Sequence, residues 1–190
     1  MRNPLFYLAA TALFCLIALA GCSVSTHEKD GKKDDVDIRT PFGSLSVKEG
    51  ATDVRDTGLS LYPGARSKKD SDDDHHSANV NISSSMFGLK VVAMRFESDD
   101  PSDKVLAFYR KEMGKYGRVV DCTGGFSMSF HHRDKDAEVT CEGHDSDHDY
   151  REVLKVGTEN NQRIMAVKSK NSGSEFALVY VRAWESKDAN

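Results

Sequence analysis

Residues 87–122 constrain the fold more than any other stretch of the chain, because they predict a strand, a helix and a second strand in close succession. The run GLKVVAMRFE favours an extended strand, SDDP ends it, KVLAFYRKEMG predicts a helix, and KYGRVVDC begins another strand. A single amphipathic helix needs a sheet against which its apolar stripe can be buried. The stretch therefore predicts a sheet with a helix packed on it.

Local chemistry sets the predicted ends of this helix. Asp100 is placed to be the N-cap, and Pro101 suits the first helical position. Asp103 lies near the positive end of the helix dipole, and Gly114 favours the left-handed conformation in which many helices end. The residues predicted to face the core are Val105, Phe108, Tyr109 and Met113, with Leu106 at the edge.

Short apolar runs on both sides of the helix predict further strands. IRTPFGSLSV and ANVNISS precede it, while RVVDC, GFSMSFHH and AEVTCE follow it. REVLKVGT, RIMAVKS and EFALVYVRAW then predict three closing strands, and the last is apolar on both faces, as expected of a covered central strand. The predicted fold class is α+β, a twisted and mainly antiparallel sheet with one principal helix packed on a face.

The beginning of the chain predicts export and lipid attachment. An apolar run over residues 5–20 is typical of a signal peptide core, and it ends in LAGC, which resembles the lipobox of bacterial lipoproteins. The resemblance implies that residues 1–21 are a lipoprotein signal peptide and that acylated Cys22 anchors the mature chain to the lipid bilayer. Ser23 in place of Asp then implies the outer membrane, facing the periplasm. The alternative is an ordinary secreted protein in which Cys22 is incidental.

Composition divides the mature chain into two parts. Residues 22–37 are charged and almost free of apolar side chains, which predicts a flexible tether reaching about 20 Å. Residues 38–190 are long enough for a single α+β domain with a sizeable core.

The charge balance excludes one class of partner. The chain has 26 basic and 30 acidic residues, and loss of residues 1–21 removes one basic residue, so the net charge changes from −4 to −5. Phosphate binding needs clustered lysine and arginine, so we expect no nucleic-acid partner.

Three further motifs carry a family resemblance. YPGA predicts a type II turn with Pro63 and Gly64 at its centre, because proline presets the first φ and glycine supplies the positive one. Together with the DxPxxKVxxFY helix and the VGT strand, it resembles an uncharacterised family of bacterial exported proteins, over residues 58–184. The resemblance implies no activity for any residue.

The four cysteines have separate predicted roles. Cys15 leaves with the signal peptide and Cys22 is the lipidation site. Cys122 and Cys141 remain as a pair in an oxidising compartment, which favours a disulfide over two free thiols. Their spacing is not that of a CxxC redox motif.

Histidines beside acidic residues are the weak candidates for a metal site. They are His75, His76, His144 and His148. Imidazole and carboxylate groups suit Zn²⁺, but solvated loops rich in Asp and His are the favoured interpretation. A calcium EF-hand beginning at Asp145 is rejected, because Tyr150 and Val156 replace its glycine and its bidentate glutamate.

No sequence signature of an enzyme is present. GxSxG, HExxH and phosphate-loop motifs are all missing from the chain, and no nucleophile–base pair stands out. We therefore expect no cofactor and a non-catalytic, membrane-anchored module that binds an envelope protein or ligand. The alternatives are a metal-binding lipoprotein that uses the His/Asp-rich loops, and an enzyme.

Overall fold

One antiparallel sheet and one α-helix make up the described part of the chain. The computed structural model describes residues 23–29, 32–49, 52–68, 77–123, 136–141, 150 and 152–185. The strands are β1 (Ser23–Lys29), β2 (Lys32–Thr40), β3 (Gly43–Glu49), β4 (Arg66–Ser67), β5 (Ser77–Ser84), β6 (Phe87–Ser98), β7 (Val120–Thr123), β8 (Glu152–Thr158), β9 (Asn161–Ser169) and β10 (Ser174–Glu185). The helix is α1 (Ser102–Met113), and two 3-10 helices cover Val54–Thr57 and Gly114–Tyr116.

The strand order confirms an antiparallel sheet with one principal helix. The order is β1-β2-β3-β5-β6-β10-β9-β8-β7, and the short β4 pairs with the far end of β6. The closing strand β10 lies between β6 and β9, so its predicted central position is confirmed.

The pairing of β6 with β10 is the longest in the sheet. It runs without a break from Phe87↔Glu185 to Ser98↔Ser174. Phe96 lies directly opposite Phe176, and their rings stack with centroids 5.4 Å apart. Such an aromatic pair stabilises by about 0.5–1.5 kcal/mol beyond its buried area.

The helix packs on the sheet with the predicted face. Val105, Tyr109 and Met113 are fully buried, while Leu106 and Phe108 are half-buried against the same core. The sheet residues of this core are Val92, Met94, Phe96, Leu154, Val156, Met165, Val167, Phe176 and Leu178.

The predicted N-cap is wrong by one residue, whereas the predicted helix end at Gly114 is confirmed in position but not in conformation. The N-cap is Pro101, and the helix begins at Ser102. The Asp100 carboxylate instead accepts hydrogen bonds from the distant Tyr62 at 2.8 Å and from Lys104, one helical turn on, at 2.9 Å, so side-chain partners outcompete the cap. Gly114 is right-handed, with φ −56°, because the chain continues into a 3-10 helix.

The predicted tight turn at Pro63 and Gly64 is confirmed. The amide of Ala65 donates to the carbonyl of Tyr62 at 3.0 Å, which closes the turn. Gly64 has φ +76°, as the second central position of a type II turn requires.

The prediction of a flexible tether over residues 22–37 is wrong for the residues that the structure describes there. Ser23–Lys29 is strand β1, and residues 32–37 belong to β2, so the described sheet begins at Ser23 rather than at residue 38. Val24, Val36 and Ile38 alternate with polar residues and pair in register with the next strands. Charged side chains elsewhere in these strands are tolerated because β1 is at the sheet edge.

The two cysteines predicted to pair form the predicted disulfide bridge. Cys122 and Cys141 are disulfide-bonded with Cα atoms 5.4 Å apart. Cys122 is buried in β7, whereas Cys141 follows a single β-bridge between Glu138 and Thr158 rather than a regular strand. The predicted strand over AEVTCE is therefore wrong, and the predicted strand over GFSMSFHH lies outside the described residues.

Removal of the disulfide tests its contribution to the fold. The Cys122→Ser/Cys141→Ser variant should lose about 3 kcal/mol of unfolding free energy, because the bridge closes a loop with a sequence separation of 19 residues. Urea unfolding measures the loss. Reductant should destabilise the wild type by a similar amount and leave the double variant unchanged, and equal stability of the two oxidised proteins would contradict the prediction.

Candidate functional site

The residues predicted for lipidation and for metal binding lie outside the described part of the chain. This holds for Cys22 and for the four metal candidates, His75, His76, His144 and His148. Within the ranges that the structure describes, no group of three or more His, Cys, Asp or Glu side chains is placed to hold a metal ion. Lipidation and metal binding therefore stay predictions.

The sheet has two chemically different faces. The helix face carries the core that packs under α1. On the other face, here called the open face, Glu175, Ala177, Val179, Val181 and Ala183 alternate along β10 with the residues of the helix face. Over β7–β9 this open face carries a second buried core of Cys122, Val153, Ile164 and Ala166. The rest of the face contains a buried charged cluster at one end and apolar rows at the other.

The charged cluster centres on Glu175 in β10. Its side chain is only 2% exposed. Oε1 accepts from Lys68 Nζ at 3.1 Å and from the Tyr150 hydroxyl at 3.0 Å. Oε2 lies 3.2 Å from Lys170 Nζ and 3.7 Å from Lys168 Nζ. One buried carboxylate therefore holds three ammonium groups that come from the end of β4, from β9 and from the β9–β10 turn.

A second carboxylate extends the charged cluster. Glu97 in β6 lies directly opposite Glu175 and accepts from Lys170 at 2.7 Å. Like charges at directly opposite positions repel each other. Lys170, between the two, offsets this repulsion and ties the β9–β10 turn to β6.

The electrostatics of Glu175 favour its ionised form. Burial by itself raises the pKa of this carboxyl. The contacts from Lys68, Lys170 and Tyr150 lower it, and the nearby charge of Lys168 lowers it further. The net effect is a pKa below the ordinary value of 4.5. Glu175 is thus a poor general acid at neutral pH, with Oε1 hydrogen-bonded and Oε2 in ion-pair contact with Lys170 and Lys168.

The apolar part of the open face extends across six strands. Its residues are directly opposite one another in two neighbouring rows. The first row is Val24, Ile38, Leu45, Ile82, Leu89 and Ala183, and the second contains Val36, Val47, Val80, Val91 and Val181. Apart from exposed Val24 and buried Val181, these side chains are half-buried. On β2, β3 and β5 the helix face is polar, as Arg39, Ser44 and Ser83 illustrate.

On the helix face, aromatic residues and their hydrogen bonds hold residues 52–65 against the core. The amide of Tyr62 donates to the Tyr109 hydroxyl at 3.1 Å. Burial raises the pKa of Tyr109, which keeps that hydroxyl protonated. The guanidinium of Arg163 lies 3.6 Å from the ring centroid of Tyr116 and donates to the Thr57 carbonyl at 3.0 Å. These contacts fix residues 52–65 on the core, and we assign them a structural role.

Sequence reasoning missed both parts of the open face. The apolar rows had a local signal, since apolar residues alternate with polar ones in DVDIR, SLSVK, ANVNIS and GLKVV. The charged cluster had none. Lys68, Tyr150 and Glu175 are far apart in the chain, and only the folded sheet brings them together.

Comparison with known proteins assigns the chain to no family. Searches against protein-family models, curated proteins and solved structures find no significant match to the chain. Within the described ranges, no helix is both long and apolar enough to cross a membrane.

Neutralising the buried carboxylate tests the structural role of the charged cluster. Glu175→Gln should lower the unfolding free energy by about 3–5 kcal/mol, because three lysines lose their common counter-charge. Glu97→Gln is the matched control, since the Glu97 side chain is 35% exposed and its loss should cost about 1 kcal/mol or less. Equal effects in urea unfolding would contradict the assignment.

The stabilising effect of Glu175 should also depend on pH. Because the pKa of Glu175 is lowered on folding, its stabilising effect is complete above the ordinary value of 4.5 and is lost as the pH falls through the folded value. The stability difference between wild type and Glu175→Gln should therefore be constant near neutral pH and shrink below about pH 4.5. A difference that grows with acidity would mean that the shift has the opposite sign.

Proposed function

We propose that this chain is a lipid-anchored, non-catalytic binding module of the bacterial cell envelope. The observation that carries the proposal is the LAGC sequence at the end of an apolar run of signal-peptide type. Acyl chains on Cys22 would hold the folded part at the membrane surface, at about 0.8 kcal/mol per buried methylene group. Ser23 favours the outer membrane, with the domain in the periplasm.

The open face supports a binding role for the domain. Across β2, β3 and β5 it presents two rows of aliphatic side chains, while the helix face of the same strands is polar. Leu45, Val80 and Ile82 are half-buried there, so they keep apolar surface that a partner could cover. A broad apolar sheet face suits another sheet or an amphipathic helix. The proposed partner is therefore an envelope protein that presents an apolar surface.

The charged cluster supports a structural rather than a catalytic role. Glu175 is ionised and its oxygens contact Lys68, Lys168, Lys170 and Tyr150. General acid–base catalysis needs a group whose proton can reach a substrate at the working pH. The proposal accordingly includes no reaction and no cofactor.

The lipid anchor is tested by the residue that would carry it. In a bacterium with a lipoprotein-processing pathway, mass spectrometry should find a mature N-terminus at Cys22 with acyl chains attached. Cys22→Ser should abolish acylation and give uncleaved or soluble protein. Cys15→Ser is the control, because that position lies in the predicted signal peptide and its loss should leave processing intact. An unmodified mature N-terminus at another residue would contradict the proposal.

The binding face is tested by photocrosslinking from neighbouring positions. A benzophenone amino acid at Val80 should form adducts with an envelope protein, because Val80 lies on the open face. The same amino acid at Asn81 is the matched control, since the next residue of a strand points to the helix face. We expect adducts of higher mass from the first position alone.

Two results would contradict this assignment of the face. Equal adducts from Val80 and Asn81 would mean that contact is not specific to the open face. Crosslinks found only within the chain itself would mean that the apolar rows are covered internally. Circular dichroism and disulfide formation check that both substituted proteins fold.

A further inference from the structure

Ser23, the residue after the predicted lipid anchor, lies at the same end of the sheet as the tips of the β2–β3 and β5–β6 hairpins. Successive pairings place six residues in one row across the strands. They are Ser23, Arg39, Ser44, Ser83, Gly88 and Trp184. Ser23 is covalently linked to Cys22, and consecutive Cα atoms are about 3.8 Å apart. A lipid on Cys22 would therefore be held directly at this end, here called the anchor end.

The anchor end also presents large apolar side chains to solvent. Phe42 is 80% exposed in the β2–β3 turn, and Met86 is 74% and Phe87 50% exposed in the β5–β6 turn. Val24, next to Ser23, is 66% exposed. Clustered exposed apolar residues mark interaction surfaces, because isolated ones are normal but a group of them is costly in water.

Side-chain hydrogen bonds fix the conformation of both hairpin turns. The Thr40 hydroxyl accepts from the Phe42 amide at 3.3 Å and donates to the Gly43 carbonyl at 3.0 Å. The Ser84 hydroxyl accepts from the Met86 amide at 3.2 Å and from the Phe87 amide at 3.0 Å. The turns thus hold their apolar side chains outward at the end of the sheet.

We propose that the anchor end lies against the lipid bilayer, with Phe42, Met86 and Phe87 inserted at the level of the headgroups. The inference rests on the proposed lipid anchor at Cys22 and adds an orientation to it. A flexible tether would leave the orientation of the domain free. Because β1 begins at Ser23, the bilayer that holds the acyl chains is instead adjacent to both hairpin tips.

The charges near this row suit a membrane surface. The charged residues described within two positions of the row are Asp37, Arg39, Lys90, Arg182 and Glu185. Three are basic and two acidic, so this end has a net charge of +1 although the whole chain has −4. Anionic headgroups therefore meet no net negative charge at the anchor end, and arginine and lysine can reach phosphate groups.

The single tryptophan of the chain provides the measurement. Trp184 is in the row of the anchor end, half-buried over Gly88, and lies about 3–7 Å from the hairpin tips along the strands. Interfacial apolar groups enter a bilayer by about 5–10 Å. The mature full-length chain is reconstituted in phosphatidylethanolamine and phosphatidylglycerol vesicles that contain brominated phosphatidylcholine. Bromine near the headgroup should quench Trp184 fluorescence more than bromine near the chain end.

A triple variant separates docking from tethering. Phe42→Ser/Met86→Ser/Phe87→Ser keeps Cys22 but removes the proposed contact, so quenching should fall clearly below that of the wild type. Leu61→Ser is the matched control, because Leu61 is also an exposed apolar residue but lies next to Tyr62, near the opposite end of β6. It should leave quenching unchanged. Urea unfolding of each protein confirms that the folded state is retained.

Mass spectrometry of the same samples distinguishes the two proposals. Acylated Cys22 with quenching that the triple variant loses supports both of them. Acylated Cys22 with no quenching, or with equal quenching in the triple variant, overturns the docking and leaves the anchor standing. An unacylated Cys22 overturns the proposed anchor, and the docking that rests on it falls as well.

Discussion

The pairing of β6 with β10 is the constraint on which the rest of the structure depends. These two strands are adjacent in the middle of the sheet, although residues 99–173 lie between them in sequence. Their helix face holds the stacked Phe96 and Phe176, against which α1 packs. Strands from the N-terminal part add outward from β6, and strands from the C-terminal part add outward from β10. Both halves of the sheet therefore take their register from this pair.

The same pairing creates an electrostatic problem on the open face. It places Glu97 directly opposite Glu175, where two carboxylates would repel each other. Three lysines from different parts of the chain offset that repulsion, and the resulting network ties β4 and the β9–β10 turn to the central strands. Buried ion clusters of this kind add little net stability over apolar packing, but breaking one is costly. The cluster therefore favours one register over its neighbours.

The N-terminal strands change how a lipid anchor would act. A coil between Cys22 and the domain would let the domain sample many orientations. With Ser23 already in the sheet, the proposed anchor and the apolar tips at Phe42 and Met86 belong to one end of a rigid element. The open face would then rise from the membrane surface, with its first apolar row next to the anchor end and its second row farther from the bilayer, where an envelope partner could reach it. The proposed anchoring, orientation and binding would in this way be linked through one sheet.

The sequence by itself determined the features that depend on neighbouring residues. Helical spacing identified the buried face of α1, the two apolar faces of EFALVYVRAW identified a central strand, and Cys122 with Cys141 identified the bridge. Only the tertiary structure decided the features that depend on distant partners. The Asp100 carboxylate accepts a hydrogen bond from the distant Tyr62 hydroxyl instead of capping the helix. The charged N-terminal segment forms strands because β2 pairs in register with the edge of β3. Local propensity is weak compared with such long-range pairing, so a sequence read residue by residue could not predict either outcome.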